Sequence, residues 1–168
     1  MSSNSSTWYR WEHLSSSTEV SAASIELASR SARRTRAVGR RLAALVTAAD
    51  VVYLIGPLGA GKTVVAKGIA EGLRLADPRE VLSPSYTLMR SYCGERELHH
   101  IDLYRIRKPE DAGEIVAMAP HGILLIEWPE RGEGYLPEPT WTVTLRIDDG
   151  CRHITVTGPP DRLNGLRA

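Results

Sequence analysis

The chain has 168 residues, 42% apolar and 24% charged, the balance of one ordinary globular domain with room for a tail. At this length a chain buries roughly 68–70% of its unfolded surface, so it needs no disulfide or metal staple. The net charge of +1 gives no overall nucleic-acid signature, no run of 18 apolar residues offers a membrane span, and Cys93 and Cys151 are too few for a disulfide framework or a four-ligand zinc site. The simplest compartment is the cytoplasm.

Met1 to Ser31 holds eleven serines and few large apolar residues besides Trp8, Tyr9 and Trp11. Residues 1–20 read as a flexible extension, 21–158 as the folded domain and 159–168 as a frayed tail. The extension has no apolar stretch for a secretory signal, and Glu12, Glu19 and Glu26 argue against a transit peptide. Ser24 to Ala28 fits a short strand. Thr35 to Thr47 fits a helix, with Val38, Leu42, Leu45 and Val46 on one face. Arginines 33, 34, 36, 40 and 41 crowd its start and flanks. The plain reading is a solvated face, and the sharper one is an RNA or partner contact.

Val51 to Ile55 is an unbroken apolar run, as a strand covered on both faces requires. A glycine-rich turn leads to a helix from about Lys62 to Leu75, with Val65, Ile69 and Leu73 as its buried stripe, ended by Asp77-Pro78. Tyr86–Tyr92 and Glu97–Leu103 read as antiparallel strands turning at Gly94. Pro109 to Val116 reads as a short helix and Ile123 to Ile126 as a second buried strand. Trp141 to Asp148 alternates apolar and polar. Asp149-Gly150 marks a hairpin turn, and Ile154 and Val156 continue the partner strand. The order is that of a single α/β domain, a P-loop NTPase-like sheet mixing parallel and antiparallel strands and flanked by helices.

Gly56-Pro57-Leu58-Gly59-Ala60-Gly61-Lys62-Thr63 matches G-x-x-x-x-G-K-[ST] in full, between an apolar strand and a helix. Glycines at 59 and 61 permit positive φ and keep side chains out of a bowl of backbone amides. The helix start adds its partial positive charge, Lys62 reaches the β- and γ-phosphates, and the Thr63 hydroxyl suits Mg²⁺. Leu58, Gly59, Ala60, Gly61, Lys62, Thr63 and Val64 form the nucleotide-binding stretch. Pro57 stiffens the loop ahead of the amides that grip phosphate. A Ras-type GTPase needs N-K-x-D, and the only asparagines, Asn4 and Asn164, do not begin one. A small-molecule kinase remains open, with Arg105, Arg107 and Arg131 as imitators of a lid, as does a binding module that uses nucleotide only as a switch.

Four further segments follow in order: Ser83-Pro84-Ser85-Tyr86-Thr87-Leu88, His100-Ile101-Asp102-Leu103-Tyr104-Arg105, Leu125-Ile126-Glu127-Trp128-Pro129-Glu130 and Leu136-Pro137-Glu138-Pro139. With the phosphate loop they resemble the TsaE (YjeE) family over about residues 35–157. Pro57, Val64 and Ser85 depart from that family's usual aspartate and threonines, and Asp111 to Glu114 follows its acidic helix loosely. The resemblance implies a P-loop ATPase, slow alone and partner-activated, binding ATP and Mg²⁺. It implies a role in forming threonylcarbamoyladenosine at position 37 of ANN-decoding tRNAs, acting on TsaD and TsaB-type proteins and meeting tRNA only through that complex. It implies no membrane and no DNA.

Glu127, at a strand end beside the loop, is expected with Thr63 to hold the metal. Asp102 is expected to orient or deprotonate the attacking water or to help bind the metal through water, and Asp102, Glu127 and Lys62 make the catalytic set. The plainer reading of Asp102 is a partner for Arg105 or Arg107. Ser83, Ser85 and Thr87 read as a switch-like segment sensing the γ-phosphate. By resemblance Trp128 sits at the nucleotide, Arg152 is a nucleotide-side arginine, and His100 is structural or supports the site from behind. His99 and His100 are adjacent in an extended segment, so they point to opposite sides and do not make a two-histidine metal site.

Overall fold

A computed structural model describes residues 23–75, 79–119 and 121–166. The reading of 1–20 as an extension and the Asp77-Pro78 stop signal lie outside those residues. The described chain runs β1 (Ala23–Ser29), α1 (Ala32–Ala43), β2 (Val51–Ile55), α2 (Lys62–Gly72), β3 (Met89–Tyr92), β4 (Leu98–Asp102), α3 (Glu110–Ala117), β5 (Ile123–Glu127), β6 (Trp141–Asp148), β7 (Cys151–Gly158) and α4 (Pro160–Leu163). Short 3₁₀ turns cover Pro129–Gly132 and Asn164–Leu166.

The seven strands make one sheet in the order β1-β7-β6-β2-β5-β4-β3. Its centre, β6-β2-β5-β4, is parallel, while β3, β7 and β1 join antiparallel. The apolar runs explain the centre: VVYLI and ILLIE are flanked on both sides, and all five β5 residues are buried. One face packs on α1 and α2 through Val52, Leu54, Leu125, Val143 and Ile154. The other packs on α3 through Ile101, Leu124, Ile126 and Ile115.

The helix pair α1 and α2 meets backbone to backbone. A Cβ on Gly39 would collide with the Val65 carbonyl oxygen, and one on Gly68 with the Arg36 carbonyl oxygen. Arg36 and Arg40 close the crossing by pairing with Glu71 at 3.3 and 3.2 Å. Two arginines of the expected solvated face therefore bind across to α2.

Four boundaries differ from the sequence reading. Helix α1 begins earlier, capped by the Ser31 hydroxyl, which accepts from Arg34 N at 3.2 Å. It also ends earlier, where Arg96 donates to the Val46 carbonyl at 2.6 Å and the Asp50 carboxylate accepts from Thr47 N at 2.8 Å. Tyr86 to Leu88 is a turn instead of strand. Leu88 adopts φ 64° and donates its N–H to the Pro84 carbonyl at 2.6 Å. Residues 159–166 are packed where a frayed tail was expected. Leu163 and Leu166 are buried against the core, and Arg162 donates to Asp50 at 2.7 and 3.2 Å. The hairpin turn stands as read, Asp149 and Gly150 both having positive φ.

Candidate functional site

Three neighbouring parallel strands end side by side. The phosphate loop leaves β2, Glu127 closes β5 and Asp102 closes β4, with Leu54 paired to Glu127 and Glu127 to Asp102. The carboxyl ends of parallel strands are where such sheets bind ligands. The pleat directs Asp102 and Glu127 to the same face as Leu125 and Leu98, the α2 side, where the loop opens.

The loop takes the shape its glycines allow. Gly59 has φ 78° and Gly61 φ 109°, values that a side chain would strain. Gly61 caps α2 without a side chain; its carbonyl accepts from Val64 N and Val65 N, both at 3.0 Å, which leaves Lys62 N and Thr63 N at the helix start with no helical acceptor. Pro57 keeps its loop role through its carbonyl, which accepts from Ala60 N at 3.2 Å and from Lys62 Nζ at 3.0 Å. Lys62 also donates to the Gly56 carbonyl at 2.6 Å, and its Nζ lies 3.7 Å from the Trp128 ring centre. Burial pulls the Lys62 pKa below the ordinary lysine value, and the charges of Glu127, Glu130 and Asp102 offset part of that.

Thr63 Oγ1 donates to both Glu127 oxygens, at 3.0 Å to Oε1 and 3.2 Å to Oε2. Glu127 is only 2% exposed and Asp102 3%. Asp102 pairs with neither Arg105 nor Arg107. Its Oδ2 accepts from the Ser83 hydroxyl and its Oδ1 from Tyr104 N at 2.9 Å. Two buried carboxylates thus face one buried ammonium, an excess of negative charge that a cation would relieve. The donors, a hydroxyl and carboxylate oxygens, are hard ligands that fit Mg²⁺. Among the described residues no cluster of three or more His, Cys, Asp or Glu side chains could hold an ion alone. The set therefore fits a metal that takes its remaining ligands from phosphate and water.

The cleft measures about 580 Å³ and is lined by Leu58, Gly59, Gly61, Lys62, Thr63, Val64, Ser83, Ser85, Asp102, Tyr104, Arg105, Glu127 and Trp128. Of the expected site residues, three lie elsewhere. Ala60, within the loop, is fully buried and does not line the cleft. Arg152 braces the loop, its Nε donating to the Ala60 carbonyl at 3.1 Å. Thr87 is exposed and off the cleft wall, so of the switch-like trio only Ser83 and Ser85 face inward. Of the three arginines weighed as a kinase lid, Arg105 alone lines the cleft, stacked on Tyr86. A hollow of similar volume, about 550 Å³, lies among β1, β6 and β7. It has no loop amides and no buried carboxylate to give it phosphate chemistry.

Sequence reasoning missed two links. His100 Nε2 donates to Glu127 Oε1 at 2.9 Å, and the Ser83 hydroxyl donates to Asp102 Oδ2. The first was available in principle, because His100 and Asp102 are two apart on a strand and must share a face. The second crosses from a turn to a strand 19 residues away and left no periodic trace.

This fold and site define a P-loop NTPase-like α/β protein. The likeness extends to a solved structure: the crystal structure of Bacillus subtilis YdiB superimposes with a TM-score of 0.69 at 31% identity, covering 87% of this chain and 93% of that one. The chain belongs to the TsaE family, described as threonylcarbamoyl adenosine biosynthesis protein TsaE, whose profile matches residues 29–154. The tRNA threonylcarbamoyladenosine biosynthesis protein TsaE of Treponema pallidum is 42% identical over 132 residues, 76% of this chain and 96% of that protein. The protein of the same description from Bacillus subtilis is 37% identical over 135 residues, 79% of this chain and 84% of that one. No helix among the described residues is long and apolar enough to cross a membrane.

Proposed function

We propose that this protein binds and hydrolyses ATP with Mg²⁺ in the cleft at the ends of β2, β5 and β4, and that this activity serves threonylcarbamoyladenosine formation at position 37 of ANN-decoding tRNAs. The observation that carries the reading is the convergence of Lys62, Thr63, Glu127 and Asp102 on one cleft from three adjacent strand ends. The loop amides and Lys62 hold the β- and γ-phosphates. To do so the ammonium exchanges the Gly56 and Pro57 carbonyls for phosphate oxygens. Thr63 and Glu127 would hold Mg²⁺, which when bound neutralises charge on the phosphates. Asp102 orients the attacking water and accepts its proton. Its Oδ2 is shared with the Ser83 hydroxyl, so the Ser83–Ser85 turn is coupled to that step.

Arg105, the one arginine lining the cleft among the described residues, is stacked on Tyr86 and is not counted as an arginine finger, so hydrolysis alone is slow and a partner completes it. By family membership the partner is a TsaD and TsaB-type complex in the cytoplasm, through which tRNA is reached.

The test is calorimetric titration with ADP, ATP and GTP, with and without Mg²⁺, on wild type, Lys62→Ala and Glu127→Ala. Adenine nucleotides bind wild type, Lys62→Ala loses at least tenfold in affinity, and Glu127→Ala keeps ATP while losing phosphate release. Wild type that ignores all three nucleotides defeats the reading. Unchanged threonylcarbamoyladenosine in tRNA after depletion defeats the pathway assignment alone.

A further inference from the structure

Strand β4 carries two consecutive histidines, both buried, His99 at 3% exposure and His100 at 0%. The pleat sends them to opposite faces, and their partners differ in kind. His99 has both ring nitrogens engaged, Nδ1 with Ser91 Oγ at 2.8 Å and Nε2 with the His121 carbonyl. It ties three segments together and is explained by the fold. His100 makes one hydrogen bond, from Nε2 to Glu127 Oε1 at 2.9 Å, and its buried Nδ1 has no partner.

A buried ring nitrogen without a partner costs stability that an aliphatic side chain would avoid. The fold does not explain that cost, because the imidazole bonds nothing except Glu127. A carboxylate only accepts, so its contact with Nε2 places the proton on that nitrogen. Glu127 Oε1 then receives two donors, His100 Nε2–H and the Thr63 hydroxyl, while Oε2 receives only the longer Thr63 contact. The carboxylate is therefore pinned at one oxygen and presents the other.

We infer that His100 is a positioning residue that fixes the Glu127 carboxylate so that Oε2 faces the metal-nucleotide position beside Thr63. This rests on the cleft being a Mg²⁺-nucleotide site. His100 touches neither nucleotide nor metal in this role. It removes the rotational freedom of a glutamate that otherwise has only one neighbouring hydroxyl to orient it. Partners that orient a metal-binding carboxylate in this way are commonly worth 10–100-fold in metal affinity.

The test compares wild type with His100→Gln, His100→Asn and His100→Ala. A glutamine amide nitrogen reaches about where Nε2 sits, whereas asparagine's sits near Nδ1 and cannot reach Glu127. The readouts are ADP affinity as a function of Mg²⁺ and direct Mn²⁺ binding by electron paramagnetic resonance, with thermal midpoints taken for each variant. His100→Ala and His100→Asn are expected to weaken the metal-dependent part of ADP affinity and Mn²⁺ binding about tenfold, with metal-free ADP affinity unchanged. His100→Gln is expected to return within about threefold of wild type. Should His100→Ala fail to fold, the Asn and Gln pair decides alone. Equal metal affinity in wild type and His100→Asn overturns the inference, as does an equal loss in Gln and Asn, which would make the ring's packing the cause. Wild type that binds ADP but no metal overturns it too, while wild type that binds no nucleotide sinks the functional reading beneath it.

Discussion

Trp128 follows the buried Glu127 in the left-handed region at φ 59°, a conformation that costs a bulky residue about 1 kcal/mol or more. That backbone turn lays the indole over the Lys62 ammonium and 5.0 Å from the Tyr104 ring. The ring and the Gly56 and Pro57 carbonyls together surround the Lys62 ammonium. A nucleotide that recruits Lys62 must break the contact with the indole, which changes its surroundings. ADP is therefore expected to change tryptophan fluorescence, and Trp128→Phe to abolish that change while leaving ADP binding detectable by calorimetry. An undiminished signal in Trp128→Phe would assign the response to Trp8, Trp11 or Trp141 and remove Trp128 from the binding event.

At the scale of elements, the contact between α1 and α2 decides where the phosphate loop sits, because α2 begins at Lys62. The two helices approach closely only because Gly39 and Gly68 lack side chains at the crossing. Gly68→Ala improves helix propensity by about 1 kcal/mol yet drives a methyl group into the Arg36 carbonyl oxygen. The collision wins, since backbone cannot yield as a side-chain tip can, and the net expected loss is about 2 kcal/mol by urea denaturation. Gly113 in α3 is the control. A Cβ there would sit 3.4 Å from the Tyr135 carbonyl oxygen, ordinary contact, so Gly113→Ala is expected to be neutral or stabilising by up to about 1 kcal/mol. Equal effects at the two positions would refute close packing as the reason for glycine at 68.

Across the whole molecule, one carboxylate joins distant parts of the chain. Asp50 accepts from Thr47 N, from Trp141 Nε1 at 3.1 Å and from Arg162, linking the end of α1, the start of β6 and α4. Burial raises its pKa, but the hydrogen bonds from Arg162, Thr47 and Trp141 and the Arg162 charge outweigh that and hold it below the ordinary 3.8. A carboxylate depressed in the folded state binds fewer protons there than in the unfolded chain. Its stabilisation is complete above about pH 4 and falls away as pH drops through the folded value. Arg162→Ala is thus expected to cost about 2 kcal/mol at neutral pH, with the gap to wild type closing below about pH 4. A pH-independent gap in chemical denaturation would show that Arg162 acts through packing alone.

Local order is what the amino-acid sequence determined. The glycines, Lys62 and Thr63 specify a loop whose internal hydrogen bonds, from Lys62 to the Gly56 and Pro57 carbonyls and from Ala60 N to Pro57, lie within eight residues, and the apolar runs at 51–55 and 123–126 specify buried strands, because both depend on neighbours along the chain. Only the tertiary structure decided that Glu127 meets Thr63 and His100, that Ser83 meets Asp102, and that residues 159–166 close on Asp50. Those pairings follow from strand order and register. Register is set by how the two faces of the sheet bury their side chains together, a sum over the whole core that no short window of sequence contains.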